Sequence, residues 1–155
     1  MTAFFAATPR ETARLGQLLA ESTVGRLVVE LVGDLGMGKT CFAQGVGDGL
    51  GVRVPVVSPT FILMAEYDGW RPLLHIDAWR MDAEEADAVG LRDAVADWSG
   101  VVLVEWADRV SALLPEDRLR IELREPPGGG RELRVSAWGP DSDQALSRWS
   151  RAVDG

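Results

Sequence analysis

One eight-residue stretch, GDLGMGKT at positions 33–40, limits what this chain can fold into more than any other feature. It follows the apolar run LVVELV and precedes a segment of helical character that runs from about Lys39 to Leu50 and is ended by Gly51. The stretch matches the pattern G-x-x-x-x-G-K-[S/T] in the strand–loop–helix context that this pattern requires. We therefore predict a phosphate-binding loop, called the P-loop below, between a buried strand and a helix.

The P-loop residues have separate chemical roles. Gly33, Gly36 and Gly38 allow backbone N–H groups to converge on a polyphosphate, and the helix that follows adds its positive N-terminal end. Lys39 is expected to reach the β- and γ-phosphates, and the Thr40 hydroxyl is expected to coordinate Mg²⁺. Four further positions are expected to contact the nucleotide mainly through their backbone: Asp34, Leu35, Met37 and Cys41.

A P-loop site usually takes its second Mg²⁺ anchor from an acid at the end of a neighbouring buried strand. Glu105 occupies such a position after the apolar run VVLV, and Asp77 follows the apolar run that contains LLHI. Either acid could instead be a solvated residue at the end of its strand with no role in metal binding. For Asp77 the residues alone favour neither the metal-binding nor the solvated interpretation. His75, the only histidine, is more typical of a packed, hydrogen-bonded side chain than of a catalyst.

Hydroxyl groups follow the P-loop helix in the segment SPTF, where Ser58 and Thr60 flank Pro59. Such hydroxyls respond to a γ-phosphate and Mg²⁺ in switch loops. They equally serve to cap a turn at the proline, so the segment has two interpretations.

The pattern of the whole chain predicts an α/β fold in one P-loop NTPase domain covering residues 1–155, with a mixed, mostly parallel sheet flanked by helices and antiparallel hairpins. We expect a first helix capped by Thr8 and a central strand at residues 26–32. A hairpin is predicted for residues 56–67 and 72–80 around a turn at Asp68–Gly69. The remaining expected elements are a helical segment at 82–98 interrupted near Gly90, a strand in GVVLVEW, a short helix in ADRVSALL, a hairpin made by RLRIELRE and RELRVSAW, and a closing helix in DSDQALSRWSRAV.

Charge and composition narrow the functional classes. Sixteen basic residues against 24 acidic ones give a net charge of −8, and the arginines are scattered, so strong direct binding to nucleic acid is not expected. The sequence has no apolar run long enough to span a bilayer and no signal-peptide pattern. A single cysteine fits a reducing compartment, and we expect a cytoplasmic protein without membrane contact.

Several ordered blocks resemble the TsaE (YjeE) family, the ATPase component of bacterial tRNA threonylcarbamoyladenosine (t6A) synthesis. They are GDLGMGKT, GLGV, SPTF followed by AEY, HIDAWR, GLRD, VLVEWADRV and GRELRVSAWG, and they extend from about Thr12 to Gly139. The P-loop alone is shared by a vast superfamily. The SPTF, H-x-D and VEW blocks in this order are much more specific.

The resemblance implies ATP as the nucleotide, with Mg²⁺ held by Thr40 and Glu105. It places Asp77 at the metal and the γ-phosphate, and Thr60 becomes a switch-loop threonine. Trp106 is implied to lie near the site. It also implies that Thr12 flanks the adenine and that Arg131 approaches the nucleotide. The implied partners are TsaB and the transferase TsaD, with tRNA involved only indirectly.

Three functional hypotheses follow. The first is a Mg²⁺-dependent ATPase with Lys39, Asp77 and Glu105 as its catalytic set, slow alone because no cis arginine finger is evident and stimulated by its partners. Which acid positions water and which holds the metal stays open. The second is a small-molecule kinase, disfavoured because the acidic segment at 77–93 offers only Arg80 and Arg92 for a lid. The third is a nucleotide-gated binding module with negligible hydrolysis.

Overall fold

The computed structural model describes residues 1–57 and 64–155. These residues form five helices and seven strands, together with two 3₁₀ turns at Ala107–Arg109 and Ser111–Leu113. In chain order the elements are β1 (Thr2–Ala6), α1 (Pro9–Ser22), β2 (Leu27–Val32), α2 (Lys39–Gly49), β3 (Met64–Tyr67), β4 (Leu73–Asp77), α3 (Ala83–Ala88), α4 (Leu91–Asp97), β5 (Val101–Glu105), β6 (Leu119–Arg124), β7 (Arg131–Ala137) and α5 (Pro140–Asp154).

The seven strands form one sheet in the order β1-β7-β6-β2-β5-β4-β3. The four central strands, β6, β2, β5 and β4, run parallel to one another, while β3 is antiparallel to β4 and β7 is antiparallel to both β6 and β1. The predicted α/β class with a mixed, mostly parallel sheet and antiparallel hairpins is confirmed.

The central strands are covered on both faces, which explains why β2 and β5 read as continuous apolar runs instead of alternating patterns. One face packs against α1, α2 and α5 around Leu31, Leu103 and Trp149. The other packs against α3, α4 and the 3₁₀ turns around Val104 and Leu91. Because α2 lies on the first face, odd-numbered side chains of β4 and β5 point toward the helix that begins at the P-loop.

Helices α1 and α2 pack at very short range because glycines replace side chains at their contact. A Cβ added at Gly45 of α2 would lie 1.9 Å from the carbonyl oxygen of Ala13, and one added at Gly16 of α1 would lie 2.3 Å from that of Phe42. Thr8 caps α1 as predicted, since its side chain accepts a hydrogen bond from the Glu11 backbone N–H. The close packing of α1 and α2 at Gly16 and Gly45 fixes α2, and with it the P-loop, against the N-terminal helix.

Two features differ from the expectations. Strand β1 was not predicted, although Phe4 pairs with Leu133 of β7 and is buried. The segment ADRVSALL forms two 3₁₀ turns instead of one short α-helix. The predicted antiparallel hairpin is confirmed as β3 and β4, and in its connection at 68–72 Trp70 donates hydrogen bonds to the carbonyls of Leu50 and Gly49. The remainder of the strand expected for residues 56–67 falls partly outside the described residues.

Candidate functional site

The carboxyl ends of three parallel strands meet at one edge of the sheet. The P-loop begins directly after β2, and Glu105, the last residue of β5, lies opposite Leu31 of β2. On its other side Glu105 lies opposite Asp77, the last residue of β4. The two acids and the P-loop are thus brought together by strand register, and crevices at this edge of parallel sheets are the usual ligand sites of α/β proteins.

The P-loop leads directly into the N-terminus of α2. Gly38 is the N-cap residue, and its φ of 103° lies in the left-handed region that favours glycine. A Cβ at Gly33 would lie 2.7 Å from the carbonyl oxygen of Leu123, so the loop is also fitted closely against the end of β6. No side chain caps α2, and its first turn contains no acidic residue. The backbone N–H groups at this end can therefore receive an anion.

Lys39, the first residue of α2, is almost completely buried. Its Nζ atom donates a hydrogen bond of 2.5 Å to the carbonyl oxygen of Gly33 and lies 4.0 Å from the centroid of the Trp106 ring. Burial lowers the pKa of the Lys39 ammonium, whereas the negative charges of Glu105, Asp77 and Asp34 act in the opposite direction. The lysine is thus held inside the loop by interactions that a phosphate group can replace.

Asp77 and Glu105 differ in their surroundings. Burial raises the pKa of the Asp77 carboxyl, and the nearby Glu105 adds to this rise, while the Trp79 backbone N–H, which donates to Oδ1 over 3.0 Å, opposes it. Glu105 is 3% exposed, and its Oε2 atom lies 2.6 Å from Nε2 of His75. The edge therefore holds one partly buried acid whose negative charge is disfavoured and one acid fixed by a histidine.

The donor set at this edge fits Mg²⁺. The carboxylates of Asp77 and Glu105 and the hydroxyl of Thr40, in the first turn of α2, are all hard oxygen ligands. Among the described residues there is no group of three or more His, Cys, Asp or Glu side chains arranged to hold a metal by themselves. Sites that bind Mg²⁺ together with a nucleotide commonly use one or two carboxylates and complete the coordination with phosphate oxygens and water.

An aromatic pair covers the loop on the side of β5. Trp106 has φ 58° and ψ 38°, a left-handed conformation that is uncommon for a bulky residue, and this conformation turns the chain directly after Glu105. Its ring centroid lies 4.3 Å from that of Trp79, and the guanidinium of Arg109 lies 5.6 Å from the Trp79 ring centroid. Lys39, Trp106, Trp79 and Arg109 consequently form a continuous stack from the P-loop toward the surface.

Arg131, the first residue of β7, is bonded to the P-loop itself. Its Nε atom donates to the carbonyl oxygen of Met37 over 3.0 Å, and Nη2 donates to that of Gly36 over 3.3 Å. Thr12 is 1% exposed, with its hydroxyl bonded to the Thr8 carbonyl and its methyl group next to Gly38. Arg131 therefore contacts the P-loop through its backbone carbonyl groups and Thr12 through its methyl group, and both contacts fix the conformation of the loop.

A cleft of about 570 Å³ opens beside the P-loop, between the end of β6 and the segment that follows β5. Its lining includes Lys39, Trp106, Asp108, Glu122 and Arg124. This volume lies within the range of about 300–1,000 Å³ that is usual for small-molecule sites.

Most of the predicted site residues come together at this edge. Asp34, Leu35 and Gly36 form the exposed tip of the P-loop, with Leu35 83% exposed, and Cys41 is half-buried in α2. The prediction for Thr60 falls outside the described residues. The sequence reasoning missed the contact between His75 and Glu105. Strand alternation places His75 and Asp77 on one face of β4, but only the register of β4 and β5 places Glu105 beside them.

None of the helices in the described ranges combines the length and the apolar character needed to cross a bilayer.

Similarity to known proteins extends over most of the chain. The family described as threonylcarbamoyl adenosine biosynthesis protein TsaE matches residues 6–133. The tRNA threonylcarbamoyladenosine biosynthesis protein TsaE of Bacillus subtilis is 40% identical over 144 residues, covering 92% of this chain and 90% of the relative. The protein of the same name from Treponema pallidum is 38% identical over 128 residues, covering 82% and 94%. A crystal structure of Bacillus subtilis YdiB aligns with a TM-score of 0.82 and 33% identity, covering 99% of this chain and 96% of its own.

Proposed function

Because the chain belongs to the TsaE family, we propose that it is a Mg²⁺-dependent ATPase that serves the formation of threonylcarbamoyladenosine in tRNA. The observation that carries the proposal is the arrangement of the P-loop, Lys39, Asp77 and Glu105 at one edge of the sheet. Membership of the family supports the pathway, and the geometry of the edge supports the proposed reaction class, which is phosphoryl transfer to water.

The polyphosphate binds along the P-loop. The backbone N–H groups at the start of α2 contact its oxygens, and Lys39 leaves the Gly33 carbonyl and the Trp106 ring to contact the β- and γ-phosphates. The lowered pKa of Lys39 reflects its burial, and a phosphate restores the opposite charge that a buried ammonium needs. Arg131 keeps the carbonyl groups of Met37 and Gly36 directed away from the phosphates.

The two acids take different roles. Thr40 and Glu105 would hold Mg²⁺, with Asp77 beside them, and the ion would neutralise charge on the phosphates. Glu105 would be the carboxylate ligand, because it ends β5 directly beside the strand that leads into the P-loop. Asp77, whose pKa is raised by burial, orients the attacking water and accepts its proton. The in-line attack of this water on the γ-phosphorus forms a new P–O bond while the bond to the β–γ bridging oxygen breaks, so that ADP leaves and inorganic phosphate is released.

A partner completes the site. Arg131 is engaged by carbonyl groups of the loop and Arg109 lies over Trp79, so neither serves as an arginine finger at the γ-phosphate. We therefore propose slow hydrolysis by the isolated chain and acceleration by the TsaB–TsaD transferase complex, in which ATP turnover resets TsaD between rounds of modification. The net charge of −8 supports indirect involvement of tRNA, held by the partner instead of by this chain.

Reconstituted tRNA modification tests the proposal. TsaB, TsaD, tRNA and the activated threonylcarbamoyl donor are combined with this protein and Mg-ATP, and threonylcarbamoyladenosine is quantified by mass spectrometry of digested tRNA. We expect multiple turnovers with the wild type and at most a single round with Lys39→Ala, which loses the phosphate contact. Equal product with wild type, Lys39→Ala and no added protein would contradict the proposal.

A further inference from the structure

The only histidine of the chain is buried against an acid at the candidate site. His75 is 0% exposed, and its Nε2 atom lies 2.6 Å from Oε2 of Glu105, whose side chain is 4% exposed. The two residues reach each other diagonally across neighbouring parallel strands, because the residue directly opposite His75 is Leu103, two positions before Glu105. The contact therefore requires both side chains to lie on the same face of the sheet, where α2 begins.

The hydrogen-bond arrangement favours one tautomer of the His75 ring. An ionised carboxylate only accepts hydrogen bonds, so Nε2 of His75 is the N–H donor to Glu105. Nδ1 is buried and has no hydrogen-bond partner among the described residues. With the proton on Nε2, the ring keeps its hydrogen bond to Glu105, and only the unprotonated Nδ1 lacks a partner among the described residues. With the proton on Nδ1, the ring would lose the bond to Glu105 and would bury an unpaired N–H group.

We propose that His75 is a positioning residue for the ATPase reaction: as the Nε2–H tautomer it fixes one carboxylate oxygen of Glu105 and thereby sets the orientation in which Glu105 presents itself to Mg²⁺. This inference rests on the proposed function, since it takes Glu105 to be a metal ligand. An apolar side chain at position 75 would fill the space without leaving a buried ring nitrogen unpaired. A histidine at this position therefore carries the cost of a buried, unpaired Nδ1, and the orientation that it gives to Glu105 explains why a histidine is present. Residues of this kind, bonded to a ligand instead of to the ion, typically alter metal affinity by about 10–100-fold when replaced.

Nuclear magnetic resonance of the full chain tests the tautomer directly. With ¹⁵N-labelled histidine the protein gives a single pair of ring nitrogen signals, because there is one histidine. We expect one protonated signal, from Nε2, whose hydrogen exchanges slowly with solvent, and one unprotonated signal from Nδ1. A ring protonated at Nδ1, or rapid exchange between the two tautomers, would overturn the proposal whether or not the protein hydrolyses ATP.

Two substitutions test the positioning role by metal requirement. His75→Gln keeps an amide N–H donor near the position of Nε2, whereas His75→Leu removes the donor at similar volume. The affinity for ADP is measured by calorimetry at increasing Mg²⁺ concentrations. The value compared between variants is the Mg²⁺ concentration that produces half of the total change in ADP affinity. We expect His75→Leu to raise this concentration by about 10–100-fold, His75→Gln to lie closer to the wild type, and both to bind ADP without Mg²⁺ as the wild type does.

The same measurement in a Glu105→Gln background shows whether His75 acts through Glu105. We expect His75→Leu to change the Mg²⁺ requirement little once Glu105 is replaced, since the group it positions is gone. A further loss as large as in the wild-type background, or equal effects of His75→Leu and His75→Gln, would overturn the proposal. Thermal unfolding establishes that each variant is folded. If His75→Leu fails to fold, His75→Gln and the NMR measurement remain decisive.

The failure of this inference is distinguishable from failure of the proposed function. A wild-type protein that binds ADP with no dependence on Mg²⁺ contradicts the metal role of Glu105, and with it both proposals. Normal Mg²⁺-dependent binding that His75→Leu leaves unchanged contradicts only the role assigned to His75.

Discussion

The ammonium of Lys39 lies 4.0 Å from the centroid of the Trp106 ring, and Trp106 is in turn stacked against Trp79. The residue that is expected to contact phosphate is therefore held by the residue that follows Glu105. If Lys39 moves from the ring to the phosphates, as the proposed function has it, nucleotide binding changes the surroundings of Trp106.

Tryptophan fluorescence should report this movement. We expect Mg-ADP to change the emission of the wild type and Trp106→Phe to lose most of that change, because phenylalanine retains an aromatic face for Lys39 but not the reporting indole. Trp98→Phe is the control, since Trp98 is bonded to the Pro72 carbonyl at the start of β4, at the opposite edge of the sheet. A full emission change in Trp106→Phe, with intact ADP binding, would argue against withdrawal of Lys39 from the ring.

The raised pKa of Asp77 makes a prediction about stability and pH. A carboxyl whose folded-state pKa lies above its unfolded value stabilises the fold at low pH, and this contribution is lost as the pH rises through the folded-state pKa. Asp77→Asn keeps an acceptor for the Trp79 N–H and does not ionise. We expect its advantage in Tm over the wild type to grow as the pH rises above the ordinary titration range of a carboxyl group, because only the wild type then buries a disfavoured charge.

This comparison is made in the presence of a chelator, so that bound Mg²⁺ does not stabilise the wild type alone. Asp68→Asn, at an exposed residue of the β3–β4 connection, is the matched control and should show no such growing advantage. A Tm of Asp77→Asn below that of the wild type at pH 7, or a difference independent of pH, would show that the charge of Asp77 is not disfavoured in the folded protein.

Arg131 offers a test of how the P-loop is held. Removing its bonds to the Met37 and Gly36 carbonyls should weaken ATP and ADP binding to a similar extent, because the loop and not the γ-phosphate loses support. Hydrogen bonds to charged groups contribute about 1.5–3 kcal/mol each, so we expect Arg131→Ala to weaken binding by about tenfold or more. Arg131→Lys should recover little, since an ammonium cannot reproduce the planar fork of the guanidinium.

The control for this substitution is Arg134→Ala on the same strand, where the arginine is bonded to Glu132 instead of to the loop. Calorimetric titrations with ADP and a non-hydrolysable ATP analogue supply the dissociation constants. A loss confined to the ATP analogue would mean that Arg131 contacts the γ-phosphate directly, contrary to the loop-holding role.

The contact between α1 and α2 should be sensitive to a single methyl group. Gly45→Ala would place a Cβ 1.9 Å from the Ala13 carbonyl oxygen, so the two helices must separate. We expect a loss of at least about 2 kcal/mol in unfolding free energy, toward the upper part of the range for overpacking. Gln44→Ala, at the exposed neighbouring position of α2, should stay within about 0.5 kcal/mol. Equal stabilities for the two variants in urea unfolding would contradict the packing described for this contact.

The elements that the sequence predicted well are those with a strong local signal. Strand β2 is an apolar run followed by the glycine-rich P-loop, and β5 is an apolar run that ends at an acidic residue. The break between α3 and α4 falls at Gly90, whose φ is 91°. These features depend on residues close together in the chain, which is why a single sequence contains them.

The features that sequence reasoning missed depend on distant residues. Strand β1 is stabilised by pairing with β7, more than 120 positions away, and its short apolar run resembles an N-terminal tail when read alone. The first 3₁₀ turn after β5 begins directly after Trp106, whose backbone is left-handed. The ring of Trp106 contacts Lys39 and Trp79, which are distant in sequence. The contact of His75 with Glu105 likewise requires the register of β4 and β5, which no local pattern specifies.

The most direct test of the whole account is phosphate release from Mg-ATP with and without the TsaB–TsaD pair, compared between wild type and Glu105→Gln. We expect slow release by the isolated wild type, strong stimulation by the pair, and loss of the stimulated rate in Glu105→Gln. Release that the pair does not change, or stimulation that survives the substitution of Glu105, would contradict the proposal that this edge of the sheet is a partner-activated ATPase site.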